Sequence, residues 1–133
     1  MSIDMRIYET ELPVNFNICL LMDSLIEAFN MRKDELLQNG GVPIVLGDNQ
    51  TSIFIDLTKV VGYVFDIKKG DEGLIASCKF SDAFTNYPIY LIKNGAPVEI
   101  TPRLFGCKGN DEPRIDILVC FDFGLHTFSH RNF

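Results

Sequence analysis

Apolar and polar residues change their period several times along this chain, and each change marks an element. The clearest scaffold is residues 59–80, KVVGYVFDIKKGDEGLIASCKF, where two alternating segments flank Lys68-Lys69-Gly70-Asp71-Glu72-Gly73. This pattern predicts a β-hairpin with a charged, glycine-bearing loop. Strict alternation would put Val61, Tyr63, Phe65 and Ile67 on one face of the first arm, and Leu74, Ala76, Cys78 and Phe80 on one face of the second. Before the hairpin, residues 3–8 alternate as a short strand, and Pro13 breaks the pattern. From Phe16 to Gln38 the period becomes helical, with a stop at Gly40-Gly41. At about 100° per residue, Ile18, Leu21, Met22, Leu25, Ile26, Ala28, Phe29, Leu36 and Leu37 form one broad arc. Leu20 and Met31 fall in the opposite, polar arc, where a second molecule would cover them. Arg32 and Lys33 lie in the apolar arc, so the last turns are expected to emerge from the core.

Residues 41–57 read as two short strands, with Val42, Ile44 and Leu46 alternating before Gly47-Asp48-Asn49-Gln50, and Ile53, Ile55 and Leu57 after it. Ile89–Ile92 is a short apolar run. Asn94-Gly95 then predicts a tight hairpin into residues 97–105, in which Val98, Ile100 and Leu104 face away from Glu99, Thr101 and Arg103. Pro102 cannot donate to a ladder, so this strand is expected to lie at an edge or carry a bulge. After a loop at 106–113, the final strand, 114–123, alternates Ile115, Ile117, Val119, Phe121 and Phe123 with Asp116, Leu118, Cys120 and Asp122. Together these elements predict an α+β fold: a mostly antiparallel β-barrel or sandwich of about 6–8 strands, with one long N-terminal helix packed against it. The 133 residues are expected to form a single domain, with a strand and helix over 1–40, a β-rich core over 41–124 and a tail over 125–133.

Composition narrows the function classes. Eleven Phe and no Trp suit a strand-rich core. The net charge of -6 disfavours sequence-independent binding to nucleic acid, which needs a surplus of Lys and Arg facing phosphates. Residues 1–40 hold seven acids and three bases, so a basic partner surface would be steered to that end. No apolar run of about 20 residues suggests a membrane span, and no basic, apolar leader opens the chain. The expectation is a cytoplasmic protein whose four cysteines, Cys19, Cys78, Cys107 and Cys120, stay reduced.

Candidate chemistry is sparse. His126 and His130 have the H-x3-H spacing of a zinc finger, but Cys107 and Cys120 are too far apart to form the knuckle such sites use, so no metal and no cofactor are expected. With both histidines at the C-terminal end, Ser77, Cys78 and Ser81 lack a base. Asp116 with Asp122, and Asp48 with Asp56, could pair as carboxylates, although turns and solvated strand faces use the same residues. Arg103 and Arg114, on adjoining strands, could fork onto a phosphate or carboxylate, or pair across strands with Glu99, Asp116 or Asp122.

The segments GVPIVLGDNQ and VVGYVFDIKKGDEGLIASCKF, followed by VEITPRLFG and RIDILVCFDF, resemble the small β-barrel core of tailed-phage prohead proteases over residues 41–124. That family carries its catalytic His in the loop where this chain has Gly47-Asp48-Asn49-Gln50, so the resemblance implies a catalytically silent relative of phage or prophage origin. The expected function is therefore binding and not turnover: a phage-encoded, self-associating interaction protein acting in the host cytoplasm. It would serve as an inhibitor of a host defence system or as an assembly component, with Leu20 and Met31 in the contact. The alternative is an enzyme or binder of small anionic ligands or nucleotides that uses a pocket near Arg103 and Arg114.

Overall fold

The computed structural model describes residues 7–16, 21–35, 40–46, 54–71, 73–81, 85, 87–105, 115 and 117–125. Six strands form one curled, half-barrel sheet: β1 (Ile7–Pro13), β2 (Val42–Val45), β3 (Val60–Gly70), β4 (Gly73–Ser81), β5 (Val98–Phe105) and β6 (Ile117–Leu125). Helix α1 spans Met22–Glu35 and helix α2 spans Tyr87–Lys93. The strand order is β1-β4-β3-β2-β6-β5. Every neighbouring pair is antiparallel except β2 with β6. The outer strands approach each other where Val14 bridges Ile100 in parallel and the Asn15 amide donates to the Ile100 carbonyl at 2.7 Å. This contact curls the sheet around its concave face.

That face holds the core. Leu21, Leu25, Ala28 and Phe29 of α1 pack with Val42, Ile44, Val64, Ile67, Leu74, Phe80, Ile100, Leu118 and Phe121. Phe80 meets Phe123 edge-on at a centroid distance of 5.8 Å, which suits the ring quadrupoles. Leu25 and Phe29 have no exposed surface, and burying each contributes about 1.5–3 kcal/mol. The buried helix stripe is the one expected from sequence, and Met31 is 70% exposed opposite it. Arg32 does not leave the core as expected: it is half-buried against the sheet, and its Nη2 donates to the Val119 carbonyl at 3.2 Å. The expected helical span was longer, however. Phe16 lies outside the helix, and residues 17–20 and 36–39 lie outside the described residues.

Three bulges alter the predicted strand faces. Where β2 meets β3, Ile44 pairs with Gly62 and Val45 with Val60, so the buried Val61 is an extra residue. On β4, Leu74, Ala76, Cys78 and Phe80 are all buried, as alternation requires. On β3, Val64 pairs with Cys78 and Asp66 with Ser77, so Phe65 is an extra residue that inverts the phase. Val64 and Ile67 therefore point inward, while Tyr63 and Phe65 are half-buried outside, with the Lys79 ammonium over the Phe65 ring at 5.2 Å. On β6, Arg103 pairs with Cys120 and Leu104 with Leu118. Val119 is the extra residue there, and Arg32 satisfies its carbonyl. The Pro102 strand is an edge, as its proline predicted, and the bulge of this ladder lies on β6.

Other expectations are corrected outright. The first strand, expected over 3–8, runs instead over Ile7–Pro13 and includes Pro13 as its last residue, because an edge strand tolerates a residue that cannot donate. Residues 54–56 are not a strand, and Leu57–Lys59 form a short 3-10 helix. Ile89–Ile92 belong to α2, and Asn94-Gly95 caps that helix instead of turning a hairpin. The Ala96 amide donates to the Leu91 carbonyl at 3.0 Å and the Gly95 amide to Ile92 at 3.1 Å, with Gly95 at φ 77°. This is the Schellman pattern, and it needs a left-handed residue just beyond the helix. Replacing Gly95 by Ala should cost about 1 kcal/mol, measurable by urea denaturation.

Candidate functional site

Residues 54–59, just before β3, lie against the face of the sheet opposite the main core. There, side chains of two strands converge on a second, smaller cluster: Val45 from β2, and Val119 and Cys120 from β6, covered by Ile55. Beside it lie Arg103 and Asp122, 4% and 7% exposed, which are the buried charged side chains among the described residues. Thr101 and not Arg103 pairs directly with Asp122, so the guanidinium reaches its acid diagonally. It does so as a two-pronged fork, Nε to Oδ2 at 3.1 Å and Nη2 to Oδ1 at 2.5 Å. The third nitrogen, Nη1, donates to the Phe54 carbonyl at 3.4 Å. Two desolvated charges cost several kcal/mol each, which only close geometry and further hydrogen bonds offset.

The pair thus pins the returning segment, and three more restraints act on it. The Asp56 carboxylate accepts from the Thr58 amide at 3.0 Å and from the Thr58 hydroxyl at 2.6 Å, capping the 3-10 helix. The Leu46 amide donates to the Lys59 carbonyl at 2.9 Å. Ile55 plugs into the small cluster. Between these anchors Phe54 and Leu57 project outward, 78% and 79% exposed. Ordered, apolar and wet, they form a knuckle above the buried ion pair.

Of the residues singled out from sequence, Arg103 lies beneath this knuckle, facing Asp122, so an anion reaching its fork must displace that carboxylate. Cross-strand pairing with an acid is the arrangement found. Met31 stands exposed on α1, remote in sequence from both. Arg114, Leu20, Asp48, Asp116, Cys19, Cys107, His126, His130 and the 47–50 loop lie outside the described residues. Phe54 and Leu57 went unnoticed as a pair because alternation assigned Leu57 to a strand face. The signal was local: Asp56 followed by Thr58 is a helix-start pattern that interrupts the alternation.

The remaining charged groups serve the fold. Lys68 and Lys69, which lie at the end of β3 and not in the loop expected from sequence, pair with Glu11 at 2.9 Å and Asp23 at 2.7 Å, with all four side chains more than half exposed. Solvent screens such pairs, which tie the end of β3 to β1 and α1 at little energetic value. Among the described residues, no three His, Cys, Asp or Glu side chains converge as metal ligands. The buried Cys78 thiol is pushed up to about 12 by desolvation. Its thiolate is therefore suppressed at neutral pH, which makes it an inert core residue. Because the folded value lies above the unfolded one, this group's contribution is intact below about pH 9 and is lost as pH rises towards 12. Wild type should lose about 1.4 kcal/mol per pH unit relative to Cys78→Val above pH 9, as read from urea midpoints.

No family model, curated protein or solved structure matches this chain. Among the described residues, no helix is long and apolar enough to cross a membrane.

Proposed function

We propose that this protein acts by binding another protein and not by turnover, and that copies of it associate. The observation that carries this reading is the knuckle: four local restraints hold Phe54 and Leu57 in water, in a fixed geometry. Two large apolar side chains held on a pinned segment are already positioned, which lowers the entropy cost of binding. Met31, 70% exposed on α1, adds a second apolar point. It is flanked by exposed Glu27 and Asp34, so that face suits a basic partner. The likeness of residues 41–124 to the prohead-protease core, without that family's histidine, supports a phage or prophage origin. In that setting the protein is an assembly component or an inhibitor of a host defence system, working in the host cytoplasm.

Light scattering over a concentration series should show mass rising above that of one chain, and a strict monomer at high concentration contradicts the self-association. A thermal-shift panel of nucleotides and anionic metabolites should leave the unfolding midpoint unchanged. A stabilising ligand would overturn the reading.

A further inference from the structure

We infer that the open edge of β1, over Ile7–Glu11, is where a partner protein adds a strand: an extended segment in which basic and apolar residues alternate. This rests on the proposed binding of another protein and names that partner's chemistry. The backbone fixes the place. The Val14 amide donates to the Leu74 carbonyl of β4 at 3.0 Å, whereas the next amide, that of Asn15, turns the other way and donates to Ile100 at 2.7 Å. The β1 register against β4 runs without a bulge from Ile7 to Pro13, so the phase holds along the strand. Tyr8, Thr10 and Leu12 bond to β4, while Ile7, Glu9 and Glu11 aim their backbone groups away from the sheet. No described residue bonds to those outward groups. Donors and acceptors at that spacing match another extended backbone.

Other stretches of the two sheet edges are closed to such a strand. Pro13 stands at the next outward position of β1 and has no N–H to offer. On β5 the outward Ile100 carbonyl is already taken by Asn15, and Pro102 occupies the following outward position.

Side chains specify the occupant. Glu9 is exposed on the outer face opposite Lys79 of β4, but the Lys79 ammonium lies over the Phe65 ring at 5.2 Å. Among the described residues no base pairs with Glu9. An added strand sets one residue directly across from Glu9 on that face, where Lys or Arg is favoured. Its neighbours fall on the concave side, beside Tyr8 and Leu12, which pack with the core. There the Lys93 ammonium stands over the Tyr8 ring at 5.2 Å, which repels a base and leaves apolar side chains favoured. A second copy of β1 does not fit, because registers centred on Glu9, Thr10 or Glu11 all set acid opposite acid.

Amide exchange of the full chain, titrated with a capped peptide of about seven alternating Lys and Val residues, tests this. The Glu9 and Glu11 amides should become protected as peptide is added, and affinity should fall with salt. A peptide alternating Glu and Val should bind more weakly, as should one carrying its Lys and Val in two blocks. Glu9→Pro removes one outward N–H at the same phase as Pro13, so the Thr10 amide and the urea midpoint should hold while the peptide Kd rises at least about tenfold. Glu9→Gln keeps the ladder and should lose most of the salt dependence. If the block peptide binds as tightly as the alternating one, or Glu9→Pro binds like wild type, the attraction is charge alone and the edge is not the site. If no peptide changes exchange at Glu9 and Glu11, β1 takes no such strand. Neither result bears on association through the knuckle, which light scattering decides separately.

Discussion

Arg103→Ala should lower the unfolding free energy by about 3–5 kcal/mol, and Asp122→Ala by a similar amount. Each removes one partner from a pair that is 4% and 7% exposed, leaving the other charge buried in apolar surroundings. The loss is mostly the penalty of that orphaned charge and not the net worth of the pair. The double variant Arg103→Met with Asp122→Leu should therefore recover most of the stability, because neither charge remains to be desolvated. The two classes should also separate at the knuckle. Arg103→Ala loses the bond to the Phe54 carbonyl, and the double variant does not restore it. Amides at Thr58 and Lys59 should exchange faster in both variants, while the urea midpoint falls sharply only in the single ones. Equal urea midpoints for single and double variants would show that the ion pair is not buried as described.

The second large effect is expected at Gly41, just before β2. Its φ is 132°, a backbone region that side chains rarely adopt, and a Cβ there would sit far inside van der Waals contact distance of the Val64 carbonyl oxygen. That oxygen is backbone and belongs to β3, so it cannot swing aside as a side chain would. Gly41→Ala must displace β2 from β3, and β2 is a central strand whose four residues are all buried. A loss of about 3 kcal/mol or more is expected, from dihedral strain plus the displaced strand. Gly40→Ala is the control. Its φ is also positive, at 89°, but its Cβ would meet nothing within 4 Å, so only the smaller backbone cost of about 1 kcal/mol applies. Urea denaturation of the two variants separates steric approach from backbone strain.

The legible parts of this fold were those in which one period persists. The α1 stripe and the alternation of β4 could be read directly, because each element buries one face without interruption. What was not legible depended on single extra residues. Val61, Phe65 and Val119 each add one residue to a strand, and a bulge leaves the composition of the run unchanged while reversing every face beyond it. Asn94-Gly95 failed for another reason. The same left-handed glycine serves a hairpin turn and a helix C-cap, and only the seven residues of α2 before it decide between them. At the candidate site, sequence singled out Arg103 and named Asp122 among its possible partners. It placed Arg103 on the face opposite the apolar residues of β5. That face is covered by the segment between β2 and β3, a tertiary fact with no local signal, so Arg103 became an anchor beneath a surface. The outward residues of that covering segment, Phe54 and Leu57, were masked by an alternation that the Asp56 cap interrupts.

The most direct test of the account is amide hydrogen exchange of the wild-type chain over a dilution series, followed residue by residue at 54–59. Association through the knuckle predicts that protection of these amides rises with protein concentration while that of the exposed α1 face stays constant. Protection at 54–59 that is independent of concentration, or a rise confined to the residues around Met31, would contradict it.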